Sequence, residues 1–328
     1  MAVIMGSGDY TFRVEEQWPK LPPDVALGDV SAVAVDDKDR VYLFNRGPNP
    51  MVIVDTAGNF VDTWGQDIFK DAHGVYVGPD GYIYCTDWGD HTVRRCTPDG
   101  KVLMTLGTPN EPAPYMSGRP FNRCTQTVLS PDMDYLYVTD GYGNAKVHKF
   151  TRDGKYVTSW GESGSGPGEF NLPHAICCDK DGFFYVADRE NHRIQIFDGN
   201  GRFEAQINNL HRPGGLYLME SAGETVCYVG ELGPFYSFNR RAPNLGPRIS
   251  IMTPDGKPLG RLAGDPPYGN APGQFLSTHS VALDSRGNIY VGQVGMNSWP
   301  ALFPGEPIPE DLCQVRKLVR VGAGAQAA

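Results

Sequence analysis

Short stretches of alternating apolar and polar residues, separated by turns rich in Gly, Pro and Asp, run along nearly the whole chain. One stretch reads His73-Gly-Val-Tyr-Val, turns at Pro79-Asp80-Gly81, and returns as Tyr82-Ile-Tyr-Cys-Thr-Asp87. It continues through His91-Thr-Val-Arg-Arg, a second turn at Pro98-Asp99-Gly100, and Lys101-Val-Leu-Met-Thr-Leu-Gly107. A period of two puts successive side chains on opposite faces of a strand, and Asp-Gly turns reverse the chain tightly. The segment therefore predicts four antiparallel strands.

The same unit recurs, and an apolar residue four positions ahead of each first strand sets its register. The pairs are Leu27 and Ser31, Phe69 and His73, Phe121 and Thr125, Phe170 and His174, Leu210 and Gly214, Phe275 and His279. Six pairs predict six units, beginning near 27, 69, 121, 170, 210 and 275. Four-stranded sheets repeated around an axis describe an all-β, six-bladed β-propeller. The last unit has strands near Ser280–Asp284, Asn288–Val294 and Gln314–Val321, and the chain then runs out in Gly and Ala. Tyr10–Trp18 alternates well enough to supply the missing fourth strand, which would close the ring and remove two exposed sheet edges. The expected organisation is one propeller domain over 1–328, with 323–328 a flexible tail.

Composition narrows the partners. With 40 Gly, 27 Pro and 11% aromatic residues, the chain suits many short strands and tight turns. The formal charge is −9 and basic residues are scattered, so neither nucleic acid nor an anionic membrane finds a complementary surface, and a small-molecule substrate is expected. Met1–Thr11 lacks the basic start and apolar core of a secretory signal, and no run is long enough to span a bilayer, which reads as a cytoplasmic protein. The seven cysteines lack Cys-x-x-Cys spacing, arguing against a disulfide framework or a cysteine zinc site; Cys85 and Cys96 are the one pair placed to face each other across a hairpin.

At the equivalent first-strand position the units carry Ser31, His73, Thr125, His174, Gly214 and His279, so histidine stands in every second one. First strands of a propeller line its channel, and alternate blades would aim three imidazoles inward at roughly 120° to one another. Three neutral nitrogens bind Zn²⁺ and leave a fourth place for water or substrate, as a catalytic metal requires. Each histidine alone would read as a core residue bonded to backbone. The threefold placement favours ligation, and Fe²⁺, Co²⁺ or Cu²⁺ would suit the same donors. His91, His148, His192 and His211 lack this symmetry and read as surface or packing residues.

Several phrases carry a family likeness: Val138-Thr-Asp-Gly-Tyr142-Gly-Asn, Lys155-Tyr-Val-Thr-Ser-Trp-Gly161-Glu, Pro167-Gly-Glu-Phe-Asn-Leu-Pro-His174 and Val186-Ala-Asp-Arg-Glu-Asn-His-Arg-Ile-Gln195. They resemble NHL-repeat propellers and, among these, the catalytic core of the peptidyl-α-hydroxyglycine α-amidating lyases. The likeness is closest over Tyr135 to Ile207 and weaker over roughly 27 to 295. It implies zinc on His73, His174 and His279, a catalytic tyrosine at Tyr142 and active-site arginines at Arg46 and Arg189. The implied reaction splits the C–N bond of an α-hydroxyglycine-like group into an amide and an aldehyde such as glyoxylate, without a redox cofactor. Tyr142, as phenolate, would remove the hydroxyl proton, and either arginine would favour that phenolate or hold a substrate carboxylate.

The sequence departs from that pattern in three places. Ser277 replaces a methionine, Gly143 replaces a disulfide cysteine, and Ser280 replaces the aspartate that helps hold a structural calcium with carbonyls matching Val33 and Val75. With no formal charge left there, calcium is expected to be weak or absent. A smaller substrate than a secreted peptide is expected, with Met296–Pro309 and the long stretch Gly233 to Pro247 reshaping one face. Two other classes stay open: a metal-dependent propeller hydrolase and a non-catalytic NHL scaffold.

Overall fold

Five of the alternating units form antiparallel sheets of four strands in sequence order and the sixth is completed by N-terminal strands, the chain being of the all-β, six-bladed propeller class. The computed structural model describes residues 2–221, 223–240 and 242–321; the expected flexible tail at 323–328 lies outside them. Contacts gather the chain into two compact units, Trp64–Leu218 and Met1–Thr63 with Met219–Ala328. No helix among the described residues is long and apolar enough to cross a membrane.

The unit Trp64–Leu218 holds blades two, three and four, whose first strands are Ala72–Val77, Cys124–Leu129 and Pro173–Cys178. Apolar faces of neighbouring blades interlock. Tyr84, Val93 and Leu106 of blade two pack with Leu129, Leu136, Val138 and Phe150 of blade three, and Phe121 fills the seam. Phe170 does the same for blades three and four, among Tyr137, Val147, Ile176, Phe184 and Phe197. Phe121 and Phe170 are thus inter-blade wedges; of the other register residues Leu210 and Phe275 are buried, while Leu27 and Phe69 are half-buried. Tight turns fit this packing. Gly201, at φ +84°, lies against Trp160, where a Cβ would come within 2.6 Å of the indole.

In the other unit, the last sheet runs Thr278–Leu283, Ile289–Gln293, Val315–Arg320 and then Tyr10–Glu15, with Val14 opposite Leu318. Ile4–Ser7 adds a fifth strand that the alternation did not reveal, pairing Met5 with Phe12. The blade-six extension forms the helix Gly295–Leu302, whose start is held by buried Asp29: its carboxylate accepts the Met296 N–H at 2.7 Å and the Asn297 N–H at 3.3 Å. The blade-five loop carries Phe235, Tyr236 and Phe238 in the open, the last 84% exposed. At its root a buried Arg248 donates two hydrogen bonds to Glu231, at 2.6 and 2.8 Å.

All seven cysteines are free thiols. Cys85 pairs with Arg94 and Cys96 with Ile83, so the two residues are diagonal neighbours on one face of the hairpin, and their thiols are hydrogen-bonded rather than bridged.

Candidate metal centre and active site

The first strand of a blade is irregular where the candidate site residues stand. In each of the five blades whose first pairing is described, one extra residue interrupts the ladder: between Val30 and Ala32, Ala72 and Gly74, Cys124 and Gln126, Pro173 and Ile176, Thr278 and Ser280. These β-bulges contain Ser31, His73, Thr125, His174 and His279. A bulge leaves one residue out of the ladder, frees its carbonyl and re-aims its side chain. Sequence periodicity found the positions but not this irregularity, because a one-residue bulge barely disturbs the alternation.

Freed carbonyls and re-aimed imidazoles meet. His73 Nδ1 lies 2.7 Å from the Thr125 carbonyl and His174 Nδ1 2.7 Å from the Gly214 carbonyl, each on the next blade. In the other unit, His279 Nδ1 lies 2.7 Å from the Ser31 carbonyl. A carbonyl oxygen only accepts, so each Nδ1 carries the proton and each Nε2 keeps its lone pair. This is the orientation that an outer hydrogen bond imposes on a metal-binding histidine. All three residues are at least 95% buried.

A second device sets the approach to each bulge. The last residue of the second strand reaches back to backbone N–H groups ahead of the first strand: Asn45 to Gly28, Asp87 to Lys70 and Asp71, Asp140 to Asn122, Asp188 to Asn171, Gln293 to Leu276. The carboxylate or amide at this strand end is therefore a clamp on the segment that delivers the candidate site residue.

Within Trp64–Leu218, four of the expected residues come together. The rings of His73 and His174 lie 4.8 Å apart. Tyr142 projects from the loop after Tyr135–Asp140, its hydroxyl 3.4 Å from His73 Nε2. Its ring is 6.1 Å from that of His174 and 5.1 Å from that of Trp88. Close packing places the loop: a Cβ on Gly141 would lie 2.2 Å from the Pro173 carbonyl oxygen, the residue before His174. Arg189 lies in the single 3₁₀ turn Arg189–Asn191 and is only 9% exposed. It donates from Nη1 to the Tyr142 hydroxyl at 3.0 Å and from Nε to Glu190 at 2.8 Å. Burial opposes the Arg189 charge, but Tyr142 and Glu190 more than offset it and raise its pKa. Burial likewise works against the Glu190 carboxylate, yet hydrogen bonds and charge from Arg212 and Arg189 hold it down to about 2.

His279 and Arg46 belong to the other unit. Arg46 follows Val41–Asn45, and its N–H donates to the Asp29 carbonyl at 2.9 Å. The remaining histidines have structural partners. His91 and His192, both with left-handed backbone, receive the N–H of Arg123 and of Arg212 at 3.1 and 3.2 Å. His148 Nε2 lies 3.2 Å from Asp140, and the His211 ring packs 4.7 Å from that of His192. Sequence reasoning missed Trp88, Glu190 and Arg212, whose roles depend on contacts between separate repeats. At the candidate calcium positions, Gln126 Nε2 donates to the Val75 carbonyl at 3.1 Å and Ser280 Oγ accepts the Val33 N–H at 3.1 Å.

Human NHL repeat-containing protein 3 is 33% identical over 317 residues, spanning 87% of this chain and 82% of that protein. The chain belongs to the NHL-repeat family. An NHL-repeat model matches residues 170–197 and a six-bladed β-propeller model matches 125–182. This NHL protein is also 30% identical over 330 residues to the fruit-fly Drosophila melanogaster peptidyl-alpha-hydroxyglycine alpha-amidating lyase 1, covering 87% of its own length and 58% of the fly protein. It spans about a third of the rat peptidylglycine alpha-amidating monooxygenase, which it also matches. Among solved structures, a catalytically inactive virginiamycin B lyase from Staphylococcus aureus superposes with a TM-score of 0.59 at 14% identity, over 94% of this chain and all of that one, a likeness of fold.

Proposed function

We propose that this protein is a metal-dependent lyase that cleaves the C–N bond of a small α-hydroxy amide, giving an amide and an aldehyde such as glyoxylate. The observation that carries the reading is the grouping of His73, His174, Tyr142 and Arg189 in one unit, with the imidazole tautomers fixed by backbone carbonyls. His279, in the same bulge position with the same carbonyl partner, is the proposed third ligand. Three buried neutral imidazoles fit a divalent transition ion, zinc by preference. Ser280 and the Gln126 amide leave little for a calcium ion, so none is proposed.

When bound, the ion would supply Lewis acidity toward the substrate hydroxyl. Tyr142, as phenolate stabilised by the Arg189 Nη1–H, takes the hydroxyl proton and becomes a neutral phenol. The O–H electron pair becomes the carbonyl π bond, the C–N pair leaves on nitrogen, and nitrogen gains the proton. Nothing is oxidised or reduced. Arg189 has committed Nε and Nη1 to protein partners, so its proposed work is chiefly to hold Tyr142, and Arg46 is the proposed anchor for a substrate carboxylate.

Metal analysis of dialysed protein should find one transition ion per chain, and His174→Ala should lose it while keeping the far-ultraviolet spectrum of a β protein. Incubation with N-acyl-α-hydroxyglycines should release the primary amide. Release of the carboxylic acid instead would identify a hydrolase, and a wild-type protein without stoichiometric metal would remove the proposal altogether.

A further inference from the structure

Glu190 is one carboxylate serving two arginines. Its Oε1 accepts Arg189 Nε at 2.8 Å and also Arg212 Nε at 3.2 Å and Nη2 at 2.9 Å. Its Oε2 accepts Arg212 Nε at 3.1 Å. Each arm leads to a residue of the candidate site. Arg189 continues to the Tyr142 hydroxyl at 3.0 Å. Arg212 stands two residues before Gly214, whose carbonyl holds His174 Nδ1 at 2.7 Å. Arg212 itself adopts φ +51°, a backbone conformation that costs a non-glycine residue energy and persists only where contacts hold it. Those contacts are the Glu190 fork and the hydrogen bond from its N–H to His192 Nδ1 at 3.2 Å.

We infer that Glu190 is a positioning residue that fixes the Tyr142 hydroxyl and the His174 imidazole relative to each other, through Arg189 and Arg212. The inference rests on the lyase reading for its consequence in turnover, while the geometry it describes is independent of that reading. Glutamine keeps the size of the side chain but replaces one acceptor oxygen with a donor and removes the charge. Its one neutral oxygen must serve the donors that gather on Oε1, and its N–H₂ in the Oε2 position meets the Arg212 Nε–H, donor against donor, so the charge-assisted hold on both guanidinium groups weakens. The Arg212 fork then loosens, the Gly214 carbonyl shifts, and Arg189 is held less firmly with Nη1 toward Tyr142. A displacement near 1 Å in a reacting constellation costs up to about 100-fold in rate.

The test uses the full chain as purified. Glu190→Gln should lower kcat by about 10- to 100-fold with KM within about twofold, and Glu190→Asp should recover part of the loss. Adding Glu190→Gln to Tyr142→Phe should cost less further rate than Glu190→Gln costs alone, because the arm through Arg189 is already without its target and only the arm to His174 remains. Nitrogen-15 spectra supply a readout that needs no substrate: the Arg189 Nε–H and His174 Nδ1–H resonances should move in Glu190→Gln, while His73 Nδ1–H, held by Thr125, stays in place. Arg212→Lys, which keeps the charge and loses the fork, should move the His174 signal alone and serves if Glu190→Gln does not fold. Unmoved arginine and histidine signals, or rate losses that add in the double variant, would overturn the inference. A wild-type protein without turnover would instead sink the lyase reading and leave the spectra to decide the positioning role.

Discussion

Tyr142 is half-buried between a hydrogen-bonding arginine and the indole of Trp88, with an imidazole nitrogen 3.4 Å from its oxygen. If it acts as the base, Tyr142→Phe should keep full metal content and lose about 10²- to 10⁴-fold in turnover, measured on the same preparation. Glu190 gives a prediction in pH. Its folded pKa of about 2 lies below the unfolded value near 4.3, so its ion pairs contribute stability that is complete above the unfolded value and is lost as pH falls toward 2. Glu190→Gln should therefore cost roughly 1–2 kcal/mol at pH 7, and that gap to wild type should close on acidification below pH 4, followed by urea unfolding at each pH. His73, His174 and His279 were legible in the sequence because the repeat gives each position a counterpart in every blade. Glu190 and Arg212 were not, since the bond between them depends on how blade four meets the segment entering blade five.

Among the elements, strands and turns followed from alternation and Asp-Gly signals, and the apolar residues Phe121 and Phe170 that set the register proved to be inter-blade wedges. The helix Gly295–Leu302 was not foreseen: with Pro300 inside and no capping side chain of its own, its start depends on distant Asp29. The loop that carries Tyr142 is placed by contact rather than by a local motif. Gly141→Ala would push a methyl group into the Pro173 carbonyl and should destabilise the fold by about 1–3 kcal/mol, visible as a lower thermal midpoint. The same change should impair metal binding, because the displaced carbonyl immediately precedes His174.

At the scale of the molecule, the strand Tyr10–Glu15 completes the last sheet with Phe12 and Val14 fully or almost fully buried. Removing residues 1–15 should cost roughly 3–6 kcal/mol from those two side chains alone and leave Val315–Arg320 as an open edge, so the shortened chain should aggregate on heating where the full one refolds. The pattern predicted that pairing but not the outer Ile4–Ser7 strand, whose burial is confined to Met5. The bulged first strands also bear on how such a chain tolerates length changes. Deleting His73 would let Ala72 and Gly74 continue an uninterrupted ladder with Asp87 and Thr86, so loss of the proposed ligand would come with a more regular sheet. Homologues without the proposed chemistry can therefore be sought by a one-residue gap at these strands, where selection for foldability alone would favour the shorter form.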